Sequence, residues 1–312
     1  MKEKKMKKEQ IIPIFFAADK NYIPFLSVSL DSLKENASKS YRYEIYILNT
    51  DIDEKEAEPV KKFEDEKFGV HFIDVSERLE EVKNSLQLRD YYTGATYYRI
   101  FIANMFPEYE KALYIDSDTI VLGDVSELFH TELKSNLIGA IPDEAVAVVP
   151  EFRLYTKETL GVEAEKYFNA GVILMNLKEF RKSNFYGKFC GLLKTYKFCV
   201  AQDQDYLNVL CKDRIVFVGN EWNKMPIGGA SETPKLIHYN LTMKPWHYEN
   251  ILFKEHFWHY AKRSEYYERI LGELRAYSAE KKQKDADSEV ALKALAVKEA
   301  KREDNYFKRF GK

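Results

Sequence analysis

Short apolar runs alternate along the chain with stretches in which apolar residues return every three or four positions. Residues 14–18 (IFFAA) predict a buried strand, and the spacing of Tyr22, Leu26, Leu30 and Leu33 predicts a helix directly after it. Residues 43–48 (YEIYIL) predict a second strand, 53–67 a charged surface helix and 70–75 a third strand. Residues 97–105 read as a helix ended by Pro107, and 112–115 as a fourth strand running straight into Asp116, Ser117 and Asp118. Strands are further expected at 137–141, 171–175 and 215–218, and helices at 185–196 and 204–210. Strand and helix in alternation predict an α/β fold with a largely parallel sheet.

The pattern changes near Ser278. From 279 to 312 the chain is rich in Lys, Glu and Ala, with aromatics only at Tyr306, Phe307 and Phe310, so a core over 11–278 and a charged helical tail over 279–312 are expected. Phe307 and Phe310 beside Lys308-Arg309 fit peripheral association with a membrane surface, while the interleaved acidic residues fit a solvated helix equally well. Across the 312 residues, 48 basic side chains against 50 acidic ones argue against a general nucleic-acid binder. The cysteines, Cys190, Cys199 and Cys211, are odd in number and lack metal-ligand spacing, which fits a reducing cytoplasm and no disulfide framework. No apolar run is long enough to span a bilayer, and the basic residues 1–10 are not followed by a signal-type cleavage region, so a cytoplasmic protein is expected.

The strongest chemical signal is LYIDSDTIV, residues 113–121, in which a buried strand delivers Asp116 and Asp118 at its carboxyl end. Ligands of open α/β sheets bind at that end of the strands. Residues two apart on an extended chain face the same way, so both carboxylates can reach one cation. A hard divalent ion needs only one or two carboxylates when substrate phosphates complete its shell. A pair of aspartates in a polar turn is the plain alternative when the motif is taken alone. His238, after the apolar Leu236-Ile237, can add an imidazole ligand, and Lys244 can neutralise phosphate; a core histidine and a surface lysine are the plain alternatives. Asp203, Gln204 and Asp205 fall where a helix begins and can either cap it or grip sugar hydroxyls. Asn169 can present its amide in a cleft or make a turn.

In order along roughly residues 11 to 262, FFAADKNY, TYYRI, YIDSDTIVLGDVSELF, YFNAGVILMNLKEFR, QDQDYLN and the HY…KPWH segment resemble the family 8 glycosyltransferases. That family includes bacterial lipopolysaccharide galactosyl- and glucosyltransferases and glycogenin. The resemblance implies one nucleotide-diphospho-sugar transferase domain of GT-A type, a Rossmann-like mixed sheet flanked by helices, followed by the tail. It implies that Ala17, Asp19, Asn21 and Tyr22 hold uridine and that Asp116 and Ser117 lie against the nucleotide. Asp116, Asp118 and His238 are then ligands of Mn²⁺, with Mg²⁺ as its substitute, and Lys244 binds the diphosphate. Arg99, Asp143, Asn169, Asp203 and Gln204 surround the donor sugar, with Asp203 and Gln204 nearest the chemistry. The implied reaction is retaining transfer of glucose or galactose from a UDP-sugar to a saccharide, glycolipid or glycoprotein acceptor in cell-surface glycan synthesis, on the cytoplasmic side and at the inner face of the membrane. Gln204 takes the sugar's far face, but an amide is a poor nucleophile, so a front-face displacement is expected.

One departure stands out. The family commonly carries glycine where this chain has Leu241, and glycine permits close backbone approach to phosphate. The segment 144–162 is expected to be a variable acceptor loop. A sugar nucleotidyltransferase would need a Gly-rich, basic phosphate loop after the first strand, and Ala17-Ala18-Asp19-Lys20 is not one. A catalytically inactive sugar-nucleotide-binding protein of the same fold is the other alternative.

Overall fold

The computed structural model describes residues 10–83, 94–228 and 233–311. Most of residues 1–10, read above as a basic N-terminus, lie outside them. Nine strands are described: β1 (Ile11–Ala17), β2 (Arg42–Asn49), β3 (Phe68–Asp74), β4 (Ala112–Ile115), β5 (Thr119–Val121), β6 (Ile138–Pro142), β7 (Phe168–Met175), β8 (Ile215–Phe217) and β9 (Leu236–His238). Seven form one sheet in the order β3-β2-β1-β4-β7-β6-β8, while β5 and β9 pair separately. The β3-β2-β1-β4 part is parallel, and β7 runs antiparallel to β4 and β6. Strand order reverses between β1 and β4, which opens a crevice at their carboxyl ends.

Side chains alternate across the pleat, so the apolar runs supply two cores at once. Ile14, Phe16, Leu113 and Ile115 face one side with Leu26, Leu30 and Leu33 of the helix Ile23–Asn36. Phe15, Tyr114, Ile173 and Met175 face the other, with Phe180, Phe189 and Leu207. The near-continuous hydrophobicity of β1 and β4 therefore reflects burial on both faces.

The structure departs from the expected elements where a segment is too short to show a period. The helix expected over 97–105 is a 3₁₀ segment, Gly94–Ile100, followed by one α-turn, Ile102–Met105. Residues three apart eclipse in 3₁₀ geometry, which puts Thr96 and Arg99 on one side, and both line the cleft described below. The charged helix stops at Lys61, two residues past its internal Pro59. The 144–162 loop contains short helices, Glu144–Val148, Pro150–Tyr155 and Thr156–Leu160. The region after 278 is the helix Ala279–Lys301, capped by Ser278, and the short helix Tyr306–Phe310. Among the described residues no helix is long and apolar enough to cross a membrane.

Candidate active site

Asp116 and Asp118 do not converge by the extended-chain geometry expected. Ser117 and Asp118 form a turn between β4 and β5, which belong to different sheets. The turn is pinned: the Asp116 backbone N–H donates to Gly171 O at 2.7 Å, and Ser117 Oγ donates to Ala17 O at 2.7 Å across the β1–β4 crevice. His238 arrives because β9 pairs with β5, setting it opposite Thr119. Its Nε2 lies 3.2 Å from Asp118 Oδ1 and 3.7 Å from Asp116 Oδ2.

One ligand atom from each of Asp116, Asp118 and His238 falls within 4.8 Å of the others, a set that suits a divalent cation. Three features of the chain fit such an ion. Asp118 Oδ1 is buried without a hydrogen-bond donor. His238 Nδ1 is 3.0 Å from Asn223 Oδ1, and with the proton on Nδ1 this bond turns the Nε2 lone pair toward the carboxylates. Gly171 leaves the space the cluster needs, since a Cβ there would stand 2.2 Å from His238 Cε1 and 2.8 Å from Asp116 Oδ2.

Lys244 is buried beside this set, and its ammonium pairs with Asp118 Oδ2 and donates to Tyr239 O at 2.5 Å. Burial alone would raise the Asp118 carboxyl, but the Lys244 ammonium, the largest opposing influence, holds Asp118 below the usual carboxylate range. Burial would likewise lower Lys244, and the Asp118 charge outweighs it, so the ammonium is kept.

Arg99 crosses the cleft floor. Its Nε is 3.1 Å from Asp203 Oδ2 and its Nη2 3.4 Å from Asp116 Oδ1, with the guanidinium over the Tyr114 ring. Burial pushes Asp203 up to about 7, opposed by Arg99. Gln204 is held on three sides: Nε2 donates to Asp143 Oδ2 at 3.0 Å and to Tyr167 Oη at 3.2 Å, and Oε1 accepts from Ala170 N at 2.9 Å. Asn169 sits on β7, not in a turn, and donates to Asp143 Oδ2 at 3.0 Å while its Oδ1 accepts from Asn223 at 3.0 Å. A continuous chain of side-chain hydrogen bonds thus runs from His238 through Asn223, Asn169 and Asp143 to Gln204.

Apart from Thr119, Asn223 and Tyr239, the residues named above line one cleft enclosing about 230 Å³, together with Ala17, Asp19, Tyr22, Ser117 and Leu241. Asn21 is not on its lining: it is exposed, and its backbone N–H donates to Asp19 Oδ1 at 2.8 Å. Leu241 keeps a left-handed backbone, φ +49°, without glycine's freedom, at a cost of roughly 1–2 kcal/mol, and it adds a side chain to the cleft. Asp205 stays off the lining and accepts from Tyr155 Oη at 2.8 Å and Tyr167 Oη at 2.7 Å, fixing two rings that do line it. Asn223, Gly171, His247 and Leu292 were not anticipated as site residues. Gly171, inside Phe168-Asn169-Ala170-Gly171, and His247, closing the HY…KPWH segment, carried a local signal; Asn223 and Leu292 carried none.

The sequence pattern of glycosyl transferase family 8 matches residues 13–250. A Haemophilus influenzae protein named as a glycosyltransferase is 31% identical over 219 residues, 70% of this chain and 64% of its own length, so the match spans just under two thirds of that relative. The lipopolysaccharide 1,3-galactosyltransferase of Salmonella typhimurium is 28% identical over 254 residues, 75% of this chain and 72% of that one. Among solved structures, the galactosyltransferase LgtC in complex with donor and acceptor sugar analogues superposes with a TM-score of 0.67 at 26% identity, covering 81% of this chain and 96% of that one. The mixed sheet with its crevice at the β1–β4 switch has the GT-A fold of these glycosyltransferases. The chain belongs to glycosyl transferase family 8.

Proposed function

We propose that the protein transfers glucose or galactose from a UDP-sugar to a saccharide acceptor with retention, in lipopolysaccharide-type or other cell-surface glycan synthesis. The observation that carries this reading is the convergence of Asp116, Asp118 and His238 beside Lys244, facing Arg99, Asp203 and Gln204 in one cleft. In it, Ala17, Asp19 and Tyr22 serve the uridine side and Ser117 the nucleotide, while Asn21 stands outside the lining and bonds Asp19 through its backbone N–H. Asp116, Asp118 and His238 would hold Mn²⁺ or, less tightly, Mg²⁺. Bound there, the cation supplies Lewis-acid charge against the leaving diphosphate.

The chain's own groups do the rest. Lys244 adds a positive charge for the diphosphate, and Arg99, Asp143, Asn169 and Asp203 bound the sugar. Gln204 is committed by three hydrogen bonds to a fixed pose, which supports a wall of the sugar pocket and not an attacking group. Retention then follows from front-face displacement. The bond from the anomeric carbon to the diphosphate oxygen breaks as the bond to the acceptor oxygen forms on the same face, and the acceptor proton passes to the departing phosphate oxygen. The same reading places the protein in the cytoplasm, at the inner face of a membrane when the acceptor is a glycolipid.

Release of UDP from a panel of nucleotide sugars by the purified protein, with and without chelator, tests this. The expected result is metal-dependent release of UDP from UDP-galactose or UDP-glucose. Failure on every UDP-hexose, with pyrophosphate release from UTP and a sugar phosphate, would overturn it in favour of a nucleotidyltransferase.

A further inference from the structure

We propose that the C-terminal helix Ala279–Lys301 is part of the acceptor side of the active site, with Leu292 as a contact for the apolar face of the acceptor. The inference rests on the transferase reading above and extends it to a region beyond every motif. The helix is largely exposed, but Asp285, Leu292, Ala296 and Ala300 recur at intervals of seven, four and four on one face. Ala296 is wholly buried in the main core, and Leu292 lines the cleft with Phe152, Tyr155 and Thr156.

Those partners belong to Pro150–Tyr155 and Thr156–Leu160, against which the C-terminal helix packs. Helices of five or six residues are too short to be stable alone, since nucleation consumes most of what so few hydrogen bonds return. The C-terminal helix supplies the apolar face that holds them. Beyond it, the Tyr306 ring meets Phe198 at 5.2 Å, and Phe307 presses on Gly161, where a Cβ would stand 2.3 Å from its ring. At the helix's other end Asp285, buried, accepts from Tyr248 Oη and Tyr277 Oη at 2.6 Å each. Tyr277 stacks on His247 at 3.9 Å, and His247 lines the cleft three residues past Lys244. One helix thus ties the diphosphate-lysine segment to the opposite wall.

No donor determinant lies on that opposite wall apart from Asp143 at its start. Val146, Phe152 and Leu292 give it an apolar character that charged diphosphate cannot use and that the C–H face or hydrophobic aglycone of a pyranoside can.

The test uses the full-length chain and its Leu292→Ala and Leu292→Trp variants, with UDP-galactose and UDP-glucose as donors and alkyl and p-nitrophenyl glucosides and galactosides as acceptors. Transfer and acceptor-free donor hydrolysis are measured together, with far-ultraviolet circular dichroism as the folding check. The expected result is at least a tenfold rise in acceptor KM for Leu292→Ala and at least a tenfold fall in the transfer-to-hydrolysis ratio for Leu292→Trp. A transfer-to-hydrolysis ratio and acceptor KM within twofold of wild type in the folded Leu292→Ala protein would overturn the proposal. So would a wild type that hydrolyses donor and accepts none of these glycosides. A wild type that hydrolyses neither donor overturns the underlying transferase reading instead.

Discussion

The two sides of the cleft are built by opposite means. The proposed donor side hangs from the carboxyl ends of β1 and β4 and the amino end of the antiparallel β7, and its polar groups are buried or half-buried and bonded to one another, from His238 to Gln204 and from Asp116 to Asp203 through Arg99. The other side is made of short helical turns over 144–160, backed by a helix from the far end of the chain. A rigid sheet edge suits a donor whose diphosphate demands fixed charges. Short elements on a packed support can change shape with few consequences for the sheet, which suits a pocket that must differ between acceptors. Substitutions on the donor side should therefore change chemistry and metal binding, and those on the other side selectivity.

The sharpest test of the donor side is Asp118→Asn. It keeps the shape but removes the charge that pairs with Lys244 and that the proposed cation requires. Transfer should fall by at least about a hundredfold, with partial rescue by excess Mn²⁺. Leaving Lys244 without its partner costs roughly 3–5 kcal/mol of stability, so a thermal melt must accompany the kinetics. In the wild type, chelator should silence the reaction and Mn²⁺ restore it better than Ca²⁺, whose larger coordination sphere fits poorly. Full turnover of Asp118→Asn in chelator would remove the cation from the scheme.

Gly171→Ala probes the same cluster without touching a ligand. The new methyl must displace His238 or Asp116. Metal affinity, read by titration calorimetry, should weaken by roughly ten- to a hundredfold while the far-ultraviolet spectrum stays native. Unchanged affinity would show that the ligand set has room to spare.

These two residues also mark how far the site was legible beforehand. Asp116 and Asp118 follow a four-residue apolar strand and are visible at once, and so are β1, β2 and β7, whose runs are long enough to show their burial. The pairing of β5 with β9 joins three-residue strands more than a hundred positions apart, and no periodicity survives at that length. Asn223 reaches His238 through a single bridge of its neighbour Lys224 to Ile237 on β9, which no local pattern announces. The turns over 144–160 each last less than two helical periods and read as a loop. The helix after 278 looks solvated because charged residues outnumber the few apolar ones that reach the cleft and core.

Gln204→Ala separates a wall from a nucleophile. Loss of an amide that only orders Asp143, Tyr167 and the Ala170 N–H should cost about tenfold in transfer, within what one or two net hydrogen bonds contribute. Intact-mass spectrometry under turnover should find no hexose on the enzyme. A glycosylated Gln204, or complete loss of turnover in a well-folded variant, would make it the attacking group.

The smallest expected effect is on stability, and it has a sign that can be worked out in advance. Burial raises Asp203 from an unfolded value near 3.9 to about 7 in the fold. A carboxyl raised in this way favours the native state only while protonated, so its contribution is fully present below about pH 4 and is lost as pH rises through about 7. Asparagine resembles the protonated form, and Arg99 keeps Asp116 as a second partner at 3.4 Å when the Asp203 charge is gone. In metal-free protein the melting temperature of Asp203→Asn should therefore pull ahead of wild type as pH rises from about 4.5 to 7.5, by about a few degrees. Asp205 rises in the same direction, to about 6, but it holds Tyr155 and Tyr167 from outside the lining, so its conversion to asparagine should loosen those rings and not mimic this gain. A variant that instead loses stability at every pH would mean that the Asp203 charge is needed to hold Arg99 in place.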